Sequence, residues 1–180
     1  PGSALASHLD AFKRWYAQAG TPTLHATVQA DAAAGTFALT LRQSAQPSPG
    51  QAHKLAAVIP VHMGLVAADG RALPLQLEGE AAPVGTDRVL VLADTEQTFR
   101  FVGIDVPAVP SLLRGFSAPV LLSDGLDDAA LLILLQHDHD AFNRWEAGQR
   151  LALRRMLASV ADAGREPHLD EAFVDAMRAI

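Results

Sequence analysis

The chain contains no cysteine. That excludes disulfides, thiolate zinc sites and cysteine nucleophiles. It also suits a reducing compartment, so a cytoplasmic location is the expectation. Charged residues make up only 19% of the sequence and the formal net charge is −6, which argues against a nucleic-acid backbone or an anionic membrane surface as the main partner. No signal-peptide pattern is legible, and the apolar run Ala129–Leu135 is seven residues, too short to span a bilayer. Three catalytic signatures are missing as well. There is no His-Glu-x-x-His helix, no Gly-x-Ser-x-Gly elbow and no glycine-rich phosphate loop. Asp69-Gly70 reads as a turn, because no ligand-spaced acids follow it as a calcium loop requires.

The remainder is the composition of a folded protein. At 180 residues and 49% hydrophobic, the chain can bury a core as one domain or two small ones. Its charge is uneven: residues 1–120 carry 8 Lys/Arg against 9 Asp/Glu, and residues 121–180 carry 6 against 11. Such asymmetry suits two modules of different surface character. The chain begins Pro1-Gly2-Ser3, and Leu169, Phe173, Met177 and Ile180 keep helical spacing to the last residue without a stop signal. The expectation is a piece of a longer protein, with Pro1-Gly2-Ser3 as a possible expression scar.

Residues His8–Gln18 read as a helix, with Leu9, Phe12, Trp15 and Tyr16 on one face and Ser7 as its cap. Gly20 fits the position after its end, and Pro22 bars continuation. The period then changes to two. Leu24, Ala26 and Val28, then Phe37, Leu39 and Leu41, alternate with polar positions around the loop Asp31–Gly35, the pattern of an antiparallel hairpin. Val58–Val66 and Ala72–Leu77 flank the Asp69-Gly70 turn, Arg88–Ala93 and Thr98–Val102 suggest a second hairpin, and Ser117–Leu122 is a last strand after the loop holding Pro107 and Pro110. The expected fold is an all-β antiparallel sandwich of about seven short strands, preceded by one helix and followed by an α-helical segment. That segment comprises helices at Leu126–Gln136, Asp140–Ala161 and Leu169–Ile180, with a break from Gly164 to Pro167.

The cluster His137-Asp138-His139-Asp140 has the residue types of a zinc site. Ligands that share a helix face are spaced by three or four, however, and His137 and His139 would point roughly 200° apart. A polar helix junction is the preferred reading. His8, His25, His53, His62 and His168 have no partner at ligand spacing, and Trp15, Tyr16, Phe142 and Trp145 are assigned to the core. No catalytic, cofactor-binding or metal-binding residue is therefore assigned.

Two stretches go beyond general pattern: FKRWYAQAGTP, Phe12–Pro22, and DAFNRWEAGQ, Asp140–Gln149. Both resemble the bacterial aminopeptidase N (alanyl aminopeptidase) branch of the gluzincin zinc metallopeptidases. Lys54–Val66, Glu96–Phe101 and Val109–Val120 are similar to that family's sequence in the same order. The resemblance implies that 1–21 is the last helix of a catalytic domain, 22–122 a β-sandwich linker, and 123–180 the first helices of a C-terminal helical domain. It further implies a zinc-dependent hydrolase that removes N-terminal residues from peptides. In that family the zinc ligands and catalytic residues lie upstream, so none carries over and the fragment is expected to be inactive, with zinc only in the parent. Expected partners are the parent's other domains, peptide substrates for the parent, and further copies through Leu131–Leu135, Phe142 and Leu169–Ile180 if truncation leaves those apolar faces exposed. The alternative from residues alone is a free-standing sandwich that binds a peptide or sugar, with a helical oligomerisation tail.

Overall fold

The computed structural model describes residues 4–161 and 170–178. A 3-10 turn, Ala4–His8, leads into α1, Leu9–Ala17. Eight strands follow: β1 Thr23–Asp31, β2 Thr36–Ser44, β3 Ile59–Ala67, β4 Gln76–Leu77, β5 Asp87–Leu92, β6 Glu96–Val102, β7 Ala108–Leu112 and β8 Leu121–Ser123. The chain then forms α2 Asp128–His137, α3 Ala141–Ala161 and α4 Glu171–Arg178. One sheet has the order β4-β6-β2-β1-β8 and the other the order β5-β3-β7.

Alternation along the strands explains the two layers. Leu24, Phe37, Leu39, Leu41 and Phe101 of the first sheet are buried against Ile59, Val61, Met63, Leu65 and Leu92 of the second. Each such side chain contributes about 1.5–3 kcal/mol on leaving water. The outer row of the first sheet is polar instead: Thr27 pairs with Thr40, and Thr40 with Thr98, whose hydroxyls meet at 2.8 Å. In β3 the alternation fails at its far end, where Leu65, Val66 and Ala67 are all buried. Leu65 points into the sandwich. Val66 faces outward and packs with Val109 of β7 beneath Leu131, Leu134 and Leu135 of α2. A strand covered on both faces loses its period-two signature.

The sandwich and its flanking helices match the expected architecture, and several details differ. Ser7 is not the cap of α1; that position falls on His8, without a side-chain cap bond, because a 3-10 turn precedes the helix. Gly20 takes a positive φ one residue later than expected, since the C-cap is Gln18. Ala72–Leu77 is not a full return strand: Ala72 makes one bridge to Val66, and the chain crosses to the first sheet as β4. Nor do β5 and β6 form a hairpin. β5 pairs with β3 and β6 with β2, because Leu90 and Leu92 meet Phe99 and Phe101 across the core, not along one sheet. The buried Gln43 amide holds that crossing, donating to the carbonyls of Ala57 and Asp94. The segment read as a loop around Pro110 is β7, an edge strand where a missing N–H is tolerated. β8 joins β1 in parallel, an exception to the antiparallel pattern. The expected break from Gly164 to Pro167, with His168, Leu169 and Ile180, lies outside the described residues.

One end of the sandwich is clasped by charge. Glu80, between β4 and β5, accepts the Leu77 N–H at 2.8 Å and both terminal nitrogens of Arg88 at 2.9 Å. The Arg88 hydrogen bonds lead in holding the Glu80 carboxyl down at about 2, against an ordinary 4.5. A carboxylate depressed in the fold stabilises fully above its unfolded value, and that contribution fades as pH falls toward its folded value. Glu80→Gln is therefore expected to lower the urea midpoint at neutral pH, with the gap to the unsubstituted chain narrowing between pH 4.5 and about 2. A gap that stays constant over that range would show that the clasp does not depend on ionisation.

Candidate functional site

The first motif, Phe12–Pro22, works through backbone capture. Trp15 Nε1 donates to the Val58 carbonyl at 2.8 Å, Arg14 donates to the Ala56 carbonyl, and the Gln18 amide both donates to the Leu55 carbonyl and accepts its N–H. Gln51 reaches back, donating to the Ala17 carbonyl and accepting the Ala19 N–H. Residues 55–58 lie outside any helix or strand, and the carbonyls of Leu55, Ala56 and Val58 accept from these side chains, which dock α1 although it has no fully buried residue.

A second joint links the sandwich to the helices. Arg114 and Asp138 are buried, with 6% and 2% of their surfaces exposed. The Arg114 Nη2 donates to Asp138 Oδ1 at 2.9 Å, and its Nε donates to Ser111 Oγ at 2.8 Å. Asn143 of α3 donates to the same Ser111 Oγ and to the Leu112 carbonyl. Asp140 caps α3 at the Asn143 N–H and takes the Gly115 N–H with its other oxygen. Space for the guanidinium comes from Gly64 in β3, where an added Cβ would sit 2.2 Å from Arg114 Nη1. The backbone around Arg114 is bent to place it: Leu113, Gly115 and Phe116 all have φ between 55° and 60°. Outside glycine such a conformation costs of order 1–3 kcal/mol per residue. Farther along, burial pushes the Asp124 carboxyl up, but the paired hydrogen bonds from Arg150 and its charge outweigh that, and the net displacement is downward.

The acids and histidines weighed from sequence are thereby placed. Asp138 and Asp140 form the helix junction. His137 ends α2 against the turn at Gly70, and His139 is exposed. His25 pairs with Ser44, and His62 with Asp87 at 2.7 Å. Ser117 Oγ accepts the His62 backbone N–H, so these three groups form no nucleophile–base relay. Among the described residues no three His, Asp or Glu stand close enough to hold a metal ion. The described residues do not fit a zinc centre. Arg114, Asn143 and Gly64 were not singled out from sequence. A glycine inside a strand pattern is a signal of close approach and could have flagged Gly64.

Of the four aromatics assigned to the core, Trp15 packs against it, Phe142 is half-buried outside both core clusters, and Tyr16 and Trp145 are exposed. Tyr16 is 83% exposed and Trp145 is 55% exposed, because each sits on a helix face that nothing among the described residues covers. Tyr16 borders an apolar cleft of about 510 Å³ with Phe12, Trp15, Pro60 and Val91. Trp145 borders a groove of about 380 Å³ between α3 and α4 with Phe173 and Met177. The apolar surface expected at Leu131–Leu135 is also elsewhere: Leu131, Leu134 and Leu135 lie on the face of α2 buried against Val66 and Val109, and Leu153, Met156, Leu157 and Val160 of α3 are exposed.

An Ig-like sandwich thus feeds directly into helices, and the buried Arg114–Asp138 pair joins the two. Residues 20–125 match a family described as a domain of unknown function (DUF3458) with an Ig-like fold, and the chain belongs to that family. Residues 128–180 match its companion, DUF3458_C, described as ARM repeats. The relatives are aminopeptidases. The chain is 35% identical to aminopeptidase N of Escherichia coli (strain K12) over 174 residues, covering 96% of this chain and 20% of that protein. It is 44% identical over 170 residues to aminopeptidase N of Caulobacter vibrioides, covering 94% and 18%. A solved structure of Legionella pneumophila aminopeptidase A in complex with aspartic acid gives a TM-score of 0.71 at 27% identity, over 95% of this chain and 18% of that one. The chain thus spans about a fifth of the length of these relatives.

The Arg114 joint yields a graded expectation. Asp138→Ala leaves a buried cation unpaired and should cost about 3–5 kcal/mol. Gly64→Ala should cost about 1–3 kcal/mol by pushing the guanidinium off the sheet. Replacing both charges, Arg114→Met with Asp138→Leu, should recover much of the single-mutant loss. Urea denaturation measures all three, and a Gly64→Ala chain as stable as the original would refute the packing account.

Proposed function

We propose that this chain is the non-catalytic connecting segment of a zinc-dependent aminopeptidase, a hydrolase that removes N-terminal residues from peptides. In this reading 1–21 ends the catalytic domain, 22–122 is the spacer and 123–180 opens the helical domain. The observation that carries it is the co-linear likeness to aminopeptidases N over almost the whole chain, within about a fifth of their length. The local chemistry supports the same role. Asp138 and Asp140 hold the joint, Asp124 holds Arg150, and Glu80 holds Arg88, so these carboxylates are committed to structure. Backbone capture by Arg14, Trp15 and Gln18 fixes the entering helix, and the Arg114 joint fixes the leaving ones, which is what a strut between two domains requires. Peptide substrate and zinc belong to the rest of the polypeptide, and the absence of cysteine accords with a cytoplasmic enzyme.

The test compares the 180-residue chain with the complete polypeptide on an alanyl chromogenic substrate. The complete polypeptide should turn it over and lose that activity to a chelator, whereas the chain alone should show no turnover with zinc added. Zinc-dependent turnover by the chain alone, or a complete polypeptide indifferent to chelation, would overturn the proposal.

A further inference from the structure

The aromatic side chains near the Arg114 joint continue outward as a stack. Phe116 is 67% exposed, although its positive φ of 55° is an unfavourable conformation for a phenylalanine. Its ring meets Phe142 of α3 with centroids 3.9 Å apart, and Phe142 meets Trp145 at 5.5 Å. Trp145 lies at the mouth of the α3–α4 groove, whose lining includes one charged side chain, Arg144. The Arg144 Nε is buried without a hydrogen-bond partner, and among the described residues no carboxylate pairs with it. Every other arginine of α3 is paired: Arg150 with Asp124, Arg154 with Asp128, and Arg155 with Asp170.

We infer that the Phe116–Phe142–Trp145 stack and the adjoining groove form one docking surface for an amphipathic helix whose carboxylate pairs with Arg144. The occupant belongs to the same polypeptide, in the part beyond this chain; this rests on the connecting-segment reading above. Three observations favour it. A buried guanidinium nitrogen without an acceptor is costly, and a carboxylate supplies the missing one. Exposed aromatics beside an arginine have the composition of an interface hot spot. Stacked helical repeats also bury their apolar faces against the next repeat, and residues 128–180 match an ARM-repeat family. Because the stack begins on the sandwich and ends on α3, the helix that covers it touches both sides of the Arg114 joint.

Site-specific photo-crosslinking in the complete polypeptide tests this, with benzoylphenylalanine replacing the exposed Trp145 and, separately, Met177 on the α4 side of the groove. Both positions should crosslink to one helical segment of the same polypeptide that carries an Asp or Glu. Arg144→Glu should then speed amide hydrogen exchange in that segment roughly tenfold, the effect of losing about 1.4 kcal/mol, and Arg144→Lys should retain most of the protection. Crosslinks to a second copy or to another protein, a crosslinked segment without a carboxylate, no crosslink from either position, or exchange unchanged by Arg144→Glu would each overturn the inference. Chelator-sensitive turnover by the same polypeptide, read separately, judges the connecting-segment proposal, so the two can fail independently.

Discussion

Arg114 carries the constraint on which the joining of sandwich and helices depends. A guanidinium removed from water must be neutralised and hydrogen-bonded, and its partners here come from separate parts of the chain. Ser111 belongs to β7, Asp138 to the turn between α2 and α3, and the space beside it exists because β3 has no side chain at Gly64. Shifting the helices away from the sandwich would leave two opposite charges buried and unpaired. The apolar contact of Val66 and Val109 with α2 supplies the adhesion, while the ion pair fixes where that adhesion occurs. The bent backbone at Leu113, Gly115 and Phe116 is a cost of aiming one side chain.

The same division of labour appears at the other end. α1 buries none of its residues fully, yet Arg14, Trp15 and Gln18 donate to the carbonyls of Ala56, Val58 and Leu55. Apolar burial makes the sandwich, and directional bonds set how chain segments enter and leave it. Directional polar contacts thus hold both the helix that enters the sandwich and the helices that leave it.

The layers and order of elements were legible because Leu24–Leu41 alternates with period two and α1 and α4 carry an amphipathic helical period, while α2 showed as a continuous apolar run. Sheet membership was not. Leu90, Leu92, Phe99 and Phe101 alternate identically whether their strands lie side by side or face each other across a core, so a hairpin and a crossover read alike. β7 was missed because Pro110 is permitted only at an edge, and edge position is a tertiary fact. Trp145 and Tyr16 have helical spacing that marks an apolar face without revealing what covers it. The acidic residues from Asp138 to Asp140 were legible as a junction through their spacing, but the partner Arg114 lies more than twenty residues away and leaves no local trace.

The parallel pairing of β8 with β1 has a consequence for how the chain is made. Thr23–His25 meet Leu121–Ser123, so the first strand and the last lie side by side. On a ribosome, which releases the chain from its N-terminus, β1 and β2 can pair early, but that border stays open until nearly the whole sandwich has emerged. Contacts of such long sequence separation raise the contact order and slow closure. Until then β1 presents an unpaired margin to neighbouring nascent chains, the period of greatest exposure to misassembly.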